Sequence, residues 1–89
     1  MRHRASPRFW SCYHSLPNAV RELADRCYAQ LRQDPHHPSL HFKKVGRKRE
    51  LWSVRVGLHY RALAVESGSE VVWFWIGTHA EYDRLIASE

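Results

Sequence analysis

In the last third of the chain, an apolar segment is followed directly by side chains that can donate or accept protons. Residues 71–76 read Val-Val-Trp-Phe-Trp-Ile, and residues 77–83 continue as Gly-Thr-His-Ala-Glu-Tyr-Asp. Such an apolar run is typical of a buried strand, which can hold the groups that follow it in a fixed geometry. His79, Tyr82 and Asp83 are therefore the first candidates for acid–base chemistry.

Two arginines form a second candidate group. Residues 52–56 and 60–64 alternate between apolar and polar side chains, with Gly57 between the two segments, which predicts a hairpin. The register that aligns their apolar positions places Arg55 opposite Arg61. Two like charges in this position disfavour folding, so the pair either extends into solvent or is kept to bind an anion.

A cluster of basic residues lies within residues 43–49, near the middle of the chain, and could contact the phosphates of a nucleic acid. A charge run is equally often only the solvated tip of a hairpin. The composition favours a polyanionic partner, because 14 Lys and Arg stand against 9 Asp and Glu, for a formal net charge of +5 with neutral His. The cluster consists of Lys43, Lys44, Arg47, Lys48 and Arg49.

Chain length and hydropathy limit the remaining possibilities. A chain of 89 residues has room for one core, so we expect a single domain over residues 1–89, with the basic and polar residues 1–7 flexible. No apolar segment approaches the roughly 20 residues that span a bilayer. No hydrophobic segment follows the first basic residues, as it would in a secretion signal. We therefore expect a cytoplasmic protein that does not bind membranes.

The spacing of apolar residues predicts the elements that position these groups. The aromatic-rich residues 8–14 predict a first strand. From Leu16 to Leu31, apolar residues recur every three or four positions, which predicts an amphipathic helix of about four turns. The sequence Asp34-Pro35 should end this helix, because proline excludes the preceding residue from the helical conformation.

The second half of the chain predicts a sheet and a short terminal helix. Residues 40–43 alternate like the two segments of the hairpin, and residues 71–76 are apolar on both sides, as in a central strand. Thr78 and Glu81 have the spacing of a capping box, which predicts a short C-terminal helix. The predicted fold class is α+β: an antiparallel-rich twisted sheet with one long N-terminal helix packed on one face.

In their order and spacing, several segments resemble toxins of the RelE/ParE superfamily from bacterial type II toxin–antitoxin systems, in particular HigB-like and RelE-like members. The resemblance covers roughly residues 8 to 86. It implies a basic concave face opposite the helix and a small antitoxin that neutralises the protein and links it to operator DNA. The segments that carry it are residues 16–17, 34–43, 52–57, 60–63 and 73–83.

The resemblance also implies an activity. RelE-like toxins cut mRNA in the ribosomal A site, whereas ParE-like toxins poison DNA gyrase without the nuclease residues. We expect the first, a ribosome-dependent mRNA endoribonuclease that inhibits translation and needs neither metal nor cofactor. Such cleavage requires a base for the ribose 2′-OH, cations for the charge that develops on the phosphorus, and an acid for the leaving 5′-oxygen.

The superfamily pattern assigns roles to individual residues. It matches His79 to a catalytic histidine, Tyr82 to the aromatic residue that follows it, and Arg55 and Arg61 to arginines that contact the scissile phosphate. A helix dipole at the first turn favours neutral His79, which suits a base. Asp83 matches an acidic residue of some HigB-like members, and His41 and His59 are candidates for the second proton carrier. The expected RNA-binding residues are Lys43, Lys44, Arg47, Lys48, Arg49 and His59.

Simpler interpretations remain open. His79 could be only a polar residue in a first helical turn, and the two arginines could serve mainly to pair with acidic residues of the antitoxin. Trp73 and Trp75 are expected to be core residues. The pair His36 and His37 lacks cysteine partners, so no metal site is expected there. Two other functions also remain open, a gyrase poison without catalysis and a degenerate member that only binds its antitoxin.

Overall fold

The computed structural model describes residues 2–46 and 50–88. Its strands form one sheet in the order β1-β5-β4-β3-β2, in which β1 runs parallel to β5 and the other neighbours are antiparallel. The predicted α+β class is confirmed. In chain order the elements are β1 (Arg2–Ala5), α1 (Pro7–His14), α2 (Asn18–Gln33), a 3₁₀ helix (Pro38–Leu40), β2 (Lys43–Val45), β3 (Leu51–Val56), β4 (Tyr60–Ser67), β5 (Glu70–Thr78) and α3 (His79–Ala87).

The start of the chain differs from the prediction. Residues 8–14, expected to form a strand, belong to helix α1. The sequence Ser6-Pro7 explains this, because the Ser6 hydroxyl accepts a hydrogen bond from the Phe9 N–H and proline is favoured at the first helical position. Residues 2–5, which we expected to be flexible, form strand β1 and extend the sheet beyond β5.

The connection after α2 also differs from the prediction. Residues 40–43 do not form a continuous strand, because a 3₁₀ helix ends at Leu40 and His41 adopts a positive φ of 46°. Strand β2 begins only at Lys43. Apolar alternation over four residues did not distinguish a strand from a short turn in which one apolar side chain is buried.

Several predictions are confirmed. Helix α2 ends at Gln33, directly before Asp34-Pro35. The hairpin of β3 and β4 has the predicted register, with Arg55 opposite Arg61. Thr78 and Glu81 form both hydrogen bonds of a capping box at the start of α3.

The two faces of the sheet have different roles. On one face, called here the helix face, α1 and α2 cover a core that includes Val54, Ala62, Trp73 and Ile76. The opposite face, called here the arginine face, carries the alternate positions of β3 and β4, and part of it is covered by α3. None of the helices within residues 2–46 and 50–88 is long and apolar enough to cross a membrane.

The turn between β3 and β4 is pressed against helix α2. Gly57 has a φ of +64°, and a Cβ added there would lie 2.5 Å from Cδ2 of Leu23. A side chain at this position is thus disfavoured by the backbone conformation and by the lack of space.

We predict that Gly57→Ala destabilises the protein more than Gly68→Ala. Gly68 has a similar φ of +61°, but among the described residues no atom lies within 4 Å of a Cβ added there. The control should therefore lose only the roughly 1–2 kcal/mol that a left-handed conformation costs an ordinary residue. Urea unfolding of both variants measures the difference. Equal losses in the free energy of unfolding would contradict the prediction, because they would show that the Leu23 side chain can move aside at no cost in stability.

A histidine joins β1 to the core of the helix face. The Trp73 indole N–H donates a hydrogen bond of 3.1 Å to Nδ1 of His3, and the two rings are stacked with their centroids 6.1 Å apart. Because an indole can only donate, Nδ1 must be unprotonated. Burial is the main cause that lowers the pKa of His3 below its ordinary 6.5, and nearby positive charge, including that of Arg32, lowers it further.

This contact makes the stability depend on pH. The unfolded chain takes up the proton of His3 near its ordinary pKa of 6.5, whereas the folded protein takes it up only at lower pH. The stabilisation is therefore complete above that value and is lost as the pH falls below it. Between about pH 7.5 and 5, we expect the free energy of unfolding of the wild type to fall by about 1 kcal/mol more than that of His3→Gln. This difference corresponds to the value of one hydrogen bond. Parallel urea titrations test this, and identical pH profiles would contradict it.

Candidate functional site

The arginine face is built around two guanidinium groups that lie on neighbouring strands. Arg55 is held by two contacts, because its Nε donates to the Gly57 carbonyl at 3.0 Å and its Nη1 lies 3.4 Å from Nε2 of His41. In contrast to Arg55, Arg61 has two buried nitrogens, Nε and Nη1, that have no hydrogen-bond partner within the described part of the chain.

The unpartnered nitrogens of Arg61 indicate what this surface can bind. A buried donor without a partner costs about 1–3 kcal/mol, and more when the group is charged. Guanidinium groups form strong, geometrically matched hydrogen bonds with phosphate and carboxylate oxygens. An anion with several oxygens on this face would satisfy Arg61 and share the charge of Arg55.

Tyr82 holds Arg61 in this position. The Cζ of Arg61 lies 5.1 Å from the centroid of the Tyr82 ring, within the range of a cation–π contact. The Tyr82 side chain is only 8% exposed and packs with Leu63 and Trp75 beneath α3. The structure thus gives Tyr82 a packing contact that positions the guanidinium, and its direct participation in chemistry stays a prediction.

His79 lies at the start of α3, at the edge of the same surface. Its Nδ1 is 3.2 Å from Oδ2 of Asp83, one helical turn further along. An ionised carboxylate can only accept, so Nδ1 carries the proton of this bond and Nε2 is the nitrogen available to a ligand. The rings of His79 and Tyr82 meet edge to face with centroids 5.8 Å apart, which connects His79 to the Tyr82–Arg61 contact.

The first turn of α3 fixes where His79 points. Glu81 Oε1 accepts hydrogen bonds from the N–H and the hydroxyl of Thr78, at 3.1 and 2.9 Å. These bonds, the backbone one foremost, lower the pKa of Glu81 and keep it ionised as a helix cap. The His79 N–H donates to the His59 carbonyl at 2.8 Å, so the hairpin turn and the start of α3 are tied together.

The structure separates the two lysines that begin the basic cluster. Lys43 is exposed and pairs in register with Ser53, which alternates with Arg55 on the arginine face. Lys44 pairs with Trp52 on the helix face, and its Nζ lies 2.7 Å from Glu50 and 3.7 Å from Glu66. The hydrogen bond with Glu50 is the main cause that raises the pKa of Lys44.

The other predicted RNA-binding residues are less informative. Arg47, Lys48 and Arg49 lie outside the described residues. His59 is exposed in the turn between β3 and β4, where its carbonyl contacts α3. The structure therefore brings Lys43, Arg55, Arg61, Tyr82 and His79 to one face and does not bring Lys44 there.

His41, predicted only as one of two candidates for a second proton carrier, contacts Arg55. The sequence could not indicate this contact, because the two residues lie in parts of the chain that are distant in sequence. The positive φ of His41 is also uncommon for a residue other than glycine and is a feature often found at functional sites. Within residues 2–46 and 50–88, no group of three or more His, Cys, Asp or Glu could hold a metal ion.

Comparison with known proteins gives one family and several similar folds. Residues 18–84 match the family described as the ParE-like toxin domain. The solved YafQ structure from E. coli is similar with a TM-score of 0.72 and 10% identity, over 92% of this chain and 98% of that chain. The RelB–RelE antitoxin–toxin complex from Methanococcus jannaschii gives 0.70 and 16%, over 91% and 96%. The YoeB/ParE toxin from Agrobacterium tumefaciens gives 0.67 and 15%, over 89% and 99%.

These identities establish likeness of fold and do not by themselves transfer an activity. No match to this sequence is found among the curated proteins.

The opposite placement of two adjacent lysines gives a matched test of the surface. Lys43→Gln should weaken the binding of single-stranded RNA and reduce the slope of log affinity against log salt by roughly 0.7, the value for one phosphate contact. Lys44→Gln removes the same charge from the helix face and should change the slope less. Fluorescence anisotropy with a short labelled RNA at several salt concentrations measures both, and equal slopes for the two variants would contradict the assignment.

Proposed function

The chain belongs to the ParE-like toxin domain family, and on that premise we propose that it is the toxin of a type II toxin–antitoxin module that cleaves mRNA on the ribosome. The observation that carries this proposal is the guanidinium of Arg61 beside Arg55, two of whose nitrogens, Nε and Nη1, are buried without a hydrogen-bond partner among the described residues, with His79 at the edge of the same face. Cleavage of RNA without metal requires these elements, namely cations at the phosphate and a nearby group that carries a proton.

The two arginines would hold the scissile phosphate in different ways. Arg61 is already positioned over Tyr82, and its Nε and Nη1 form no hydrogen bond within the described residues that a phosphate would have to replace. Arg55 would exchange its long contact with His41 for a phosphate oxygen while Nε keeps its bond to Gly57. Each charge-assisted hydrogen bond contributes about 1.5–3 kcal/mol, and it acts most strongly where charge develops in the transition state.

The rest of the arginine face supports a strand of RNA. Lys43 extends the positive charge along β2, and the undescribed basic residues Arg47, Lys48 and Arg49 follow in sequence. His59, in the turn beside α3, is the remaining residue proposed to contact RNA. Charges of this kind bind phosphates without reading base sequence, so the ribosome would supply the selection of the site.

Neutralisation would follow from the same charges. An acidic segment of a cognate antitoxin placed over Arg55 and Arg61 would satisfy their donors and exclude RNA. The similar Methanococcus jannaschii structure is described as an antitoxin–toxin complex, which supports a protein partner of this kind. Operator DNA would be contacted by the antitoxin in such a complex.

One observation favours a second candidate, a gyrase poison without nuclease activity. Tyr82, one of the residues expected to be catalytic, is buried beneath α3 and contacts Arg61 through its ring face. The site would then lack one of its expected chemical groups and could be only a binding surface. This candidate predicts that toxicity survives the loss of His79.

Primer extension on a defined mRNA held on translating ribosomes tests the proposal. The wild-type protein should produce breaks confined to A-site codons, and His79→Ala and Arg61→Gln should each reduce their rate by about 10²–10⁴-fold, the usual contribution of such groups. Arg84→Gln is a matched control, because Arg84 is an exposed cation on α3.

A second result would decide for the other candidate. If the message stays intact while expression of the wild type and of His79→Ala both arrest growth, the nuclease proposal fails. Inhibition of DNA supercoiling by purified gyrase would then support the gyrase poison.

A further inference from the structure

The helix face contains a cavity on the side of the sheet away from the arginine pair. It lies between α1, α2, β1 and the sheet and has a volume of about 230 Å³. Trp10 and Tyr28, which line it, are 46% and 44% exposed, so the cavity is open to solvent at their side. Protein cores are normally packed with few voids larger than a water molecule, so a space of this size requires a cause.

Three alanines leave this space open. In the sheet, Ala62 lies between Val54 on β3 and Ile76 on β5, so the floor of the cavity has a small residue at its centre. Ala24 on α2 and Ala5 at the end of β1 line the walls. Each alanine contributes only one methyl group, so the helices and the sheet meet without filling the space between them.

Aromatic rings line the cavity and indicate what kind of molecule fits it. The rings of Trp10 and Tyr13 meet edge to face at 83° with centroids 5.3 Å apart, and those of Phe9 and Tyr13 are stacked with centroids 6.2 Å apart. Aromatic rings attract further rings in these two arrangements. The lining therefore favours a planar aromatic ligand. Its aromatic members are Phe9, Trp10, Tyr13, Tyr28 and Trp73.

The charged residues at the cavity are already paired. In the described part of the chain, Arg4 and Asp25 are the charged residues among those that line it. The Tyr13 hydroxyl donates a hydrogen bond of 2.8 Å to Oδ1 of Asp25, and Nη1 of Arg4 lies 3.4 Å from Oε1 of Glu70. A charged ligand would therefore have to compete with a bond that already exists.

Two further titratable groups of the lining, those of Cys27 and His3, are uncharged near neutral pH. Burial raises the pKa of the Cys27 thiol and is the main cause that lowers the pKa of His3. An ion placed in the cavity would lose its hydration without gaining a buried partner of opposite charge. The chemistry of the lining thus fits an uncharged ligand.

We propose that this cavity is a binding site for a small, uncharged aromatic molecule. An apolar cavity of about 150 Å³ is sufficient to bind benzene, so the larger volume here fits a molecule of two fused rings. The site lies on the opposite side of the sheet from Arg55 and Arg61. It is therefore separate from the surface proposed to bind RNA, and the ligand does not compete with RNA.

Titration of the ¹⁵N-labelled protein with indole, followed by NMR, tests the site. Indole is uncharged and has two fused aromatic rings. The amide signals of Ala5, Ala24 and Tyr28 should shift and reach saturation with one molecule bound, whereas those of His79 and Asp83 on the other face should stay unchanged. Shifts that spread over both faces without saturation would overturn the proposal, as would the absence of any shift.

Two pairs of probes test the chemical class. Indole-3-carboxylate adds an anionic group to the same rings and should bind at least about tenfold more weakly than indole, because its charge finds no free partner. Phenol and cyclohexanol have nearly the same size, and phenol should bind about two- to tenfold more tightly, the value of one aromatic contact. Equal affinities within either pair would contradict the proposed ligand class.

Filling the cavity gives a matched test in the protein. Ala24→Met should weaken the binding of indole by at least about tenfold, because its side chain occupies the same space. Ala29→Met makes the same change at an exposed position of α2 and should bind indole like the wild type. Unchanged binding by Ala24→Met would overturn the proposal.

Two further controls keep the test decisive. Circular dichroism shows whether the variants are folded, and Ala5→Leu fills the cavity from β1 if Ala24→Met does not fold. The binding of indole should be lost in Ala5→Leu as well, and its persistence would contradict the site. None of these measurements uses RNA or ribosomes, so their outcome does not depend on the proposed nuclease function.

Discussion

Two like charges lie directly opposite each other on β3 and β4, next to the turn that joins these strands, and the contacts around them compensate for their repulsion. Arg55 is turned toward the Gly57 carbonyl and His41, while Arg61 rests on the ring of Tyr82. Neither arrangement neutralises a charge, and no carboxylate contacts either guanidinium within the described residues. The pair is therefore stable enough to fold and remains available to an anion, which is what an apolar pair at these positions could not provide.

The position of the Arg61 guanidinium depends on helix α3. Its capping box fixes the first turn, so that Tyr82 points down to the sheet and His79 and Asp83 point outward from it. The same short helix thus supplies the support of Arg61 and the proton-carrying group beside it. On the other side of the sheet, the apolar surfaces of α1 and α2 form the main hydrophobic core. The arginine face therefore does not have to bury most of the apolar surface of the sheet.

The site could be predicted from the sequence wherever it depends on local patterns. Alternation in two segments and a glycine between them were enough to place Arg55 opposite Arg61, and the spacing of Thr78 and Glu81 was enough to place His79 at a helix start. The burial of Tyr82, the separation of Lys43 from Lys44 and the contact of His41 with Arg55 depend on side chains that meet across the fold. The prediction of a strand at residues 8–14 was wrong for a different reason. Aromatic composition favours strands, whereas the Ser6-Pro7 start and tertiary packing favour a helix.

The parallel pairing of β1 with β5 also determines when the protein can become complete. Arg2 pairs with Glu70 and Ala5 with Trp73, so β1 can find its partner only after β5 has been synthesised. Contacts so distant along the chain are costly to close and form late in folding. Arg61, Gly77 and His79 also come together only at that stage. A chain that has not yet reached β5 therefore cannot present the complete arginine face, because β5 lies between β1 and β4 and leads directly into α3.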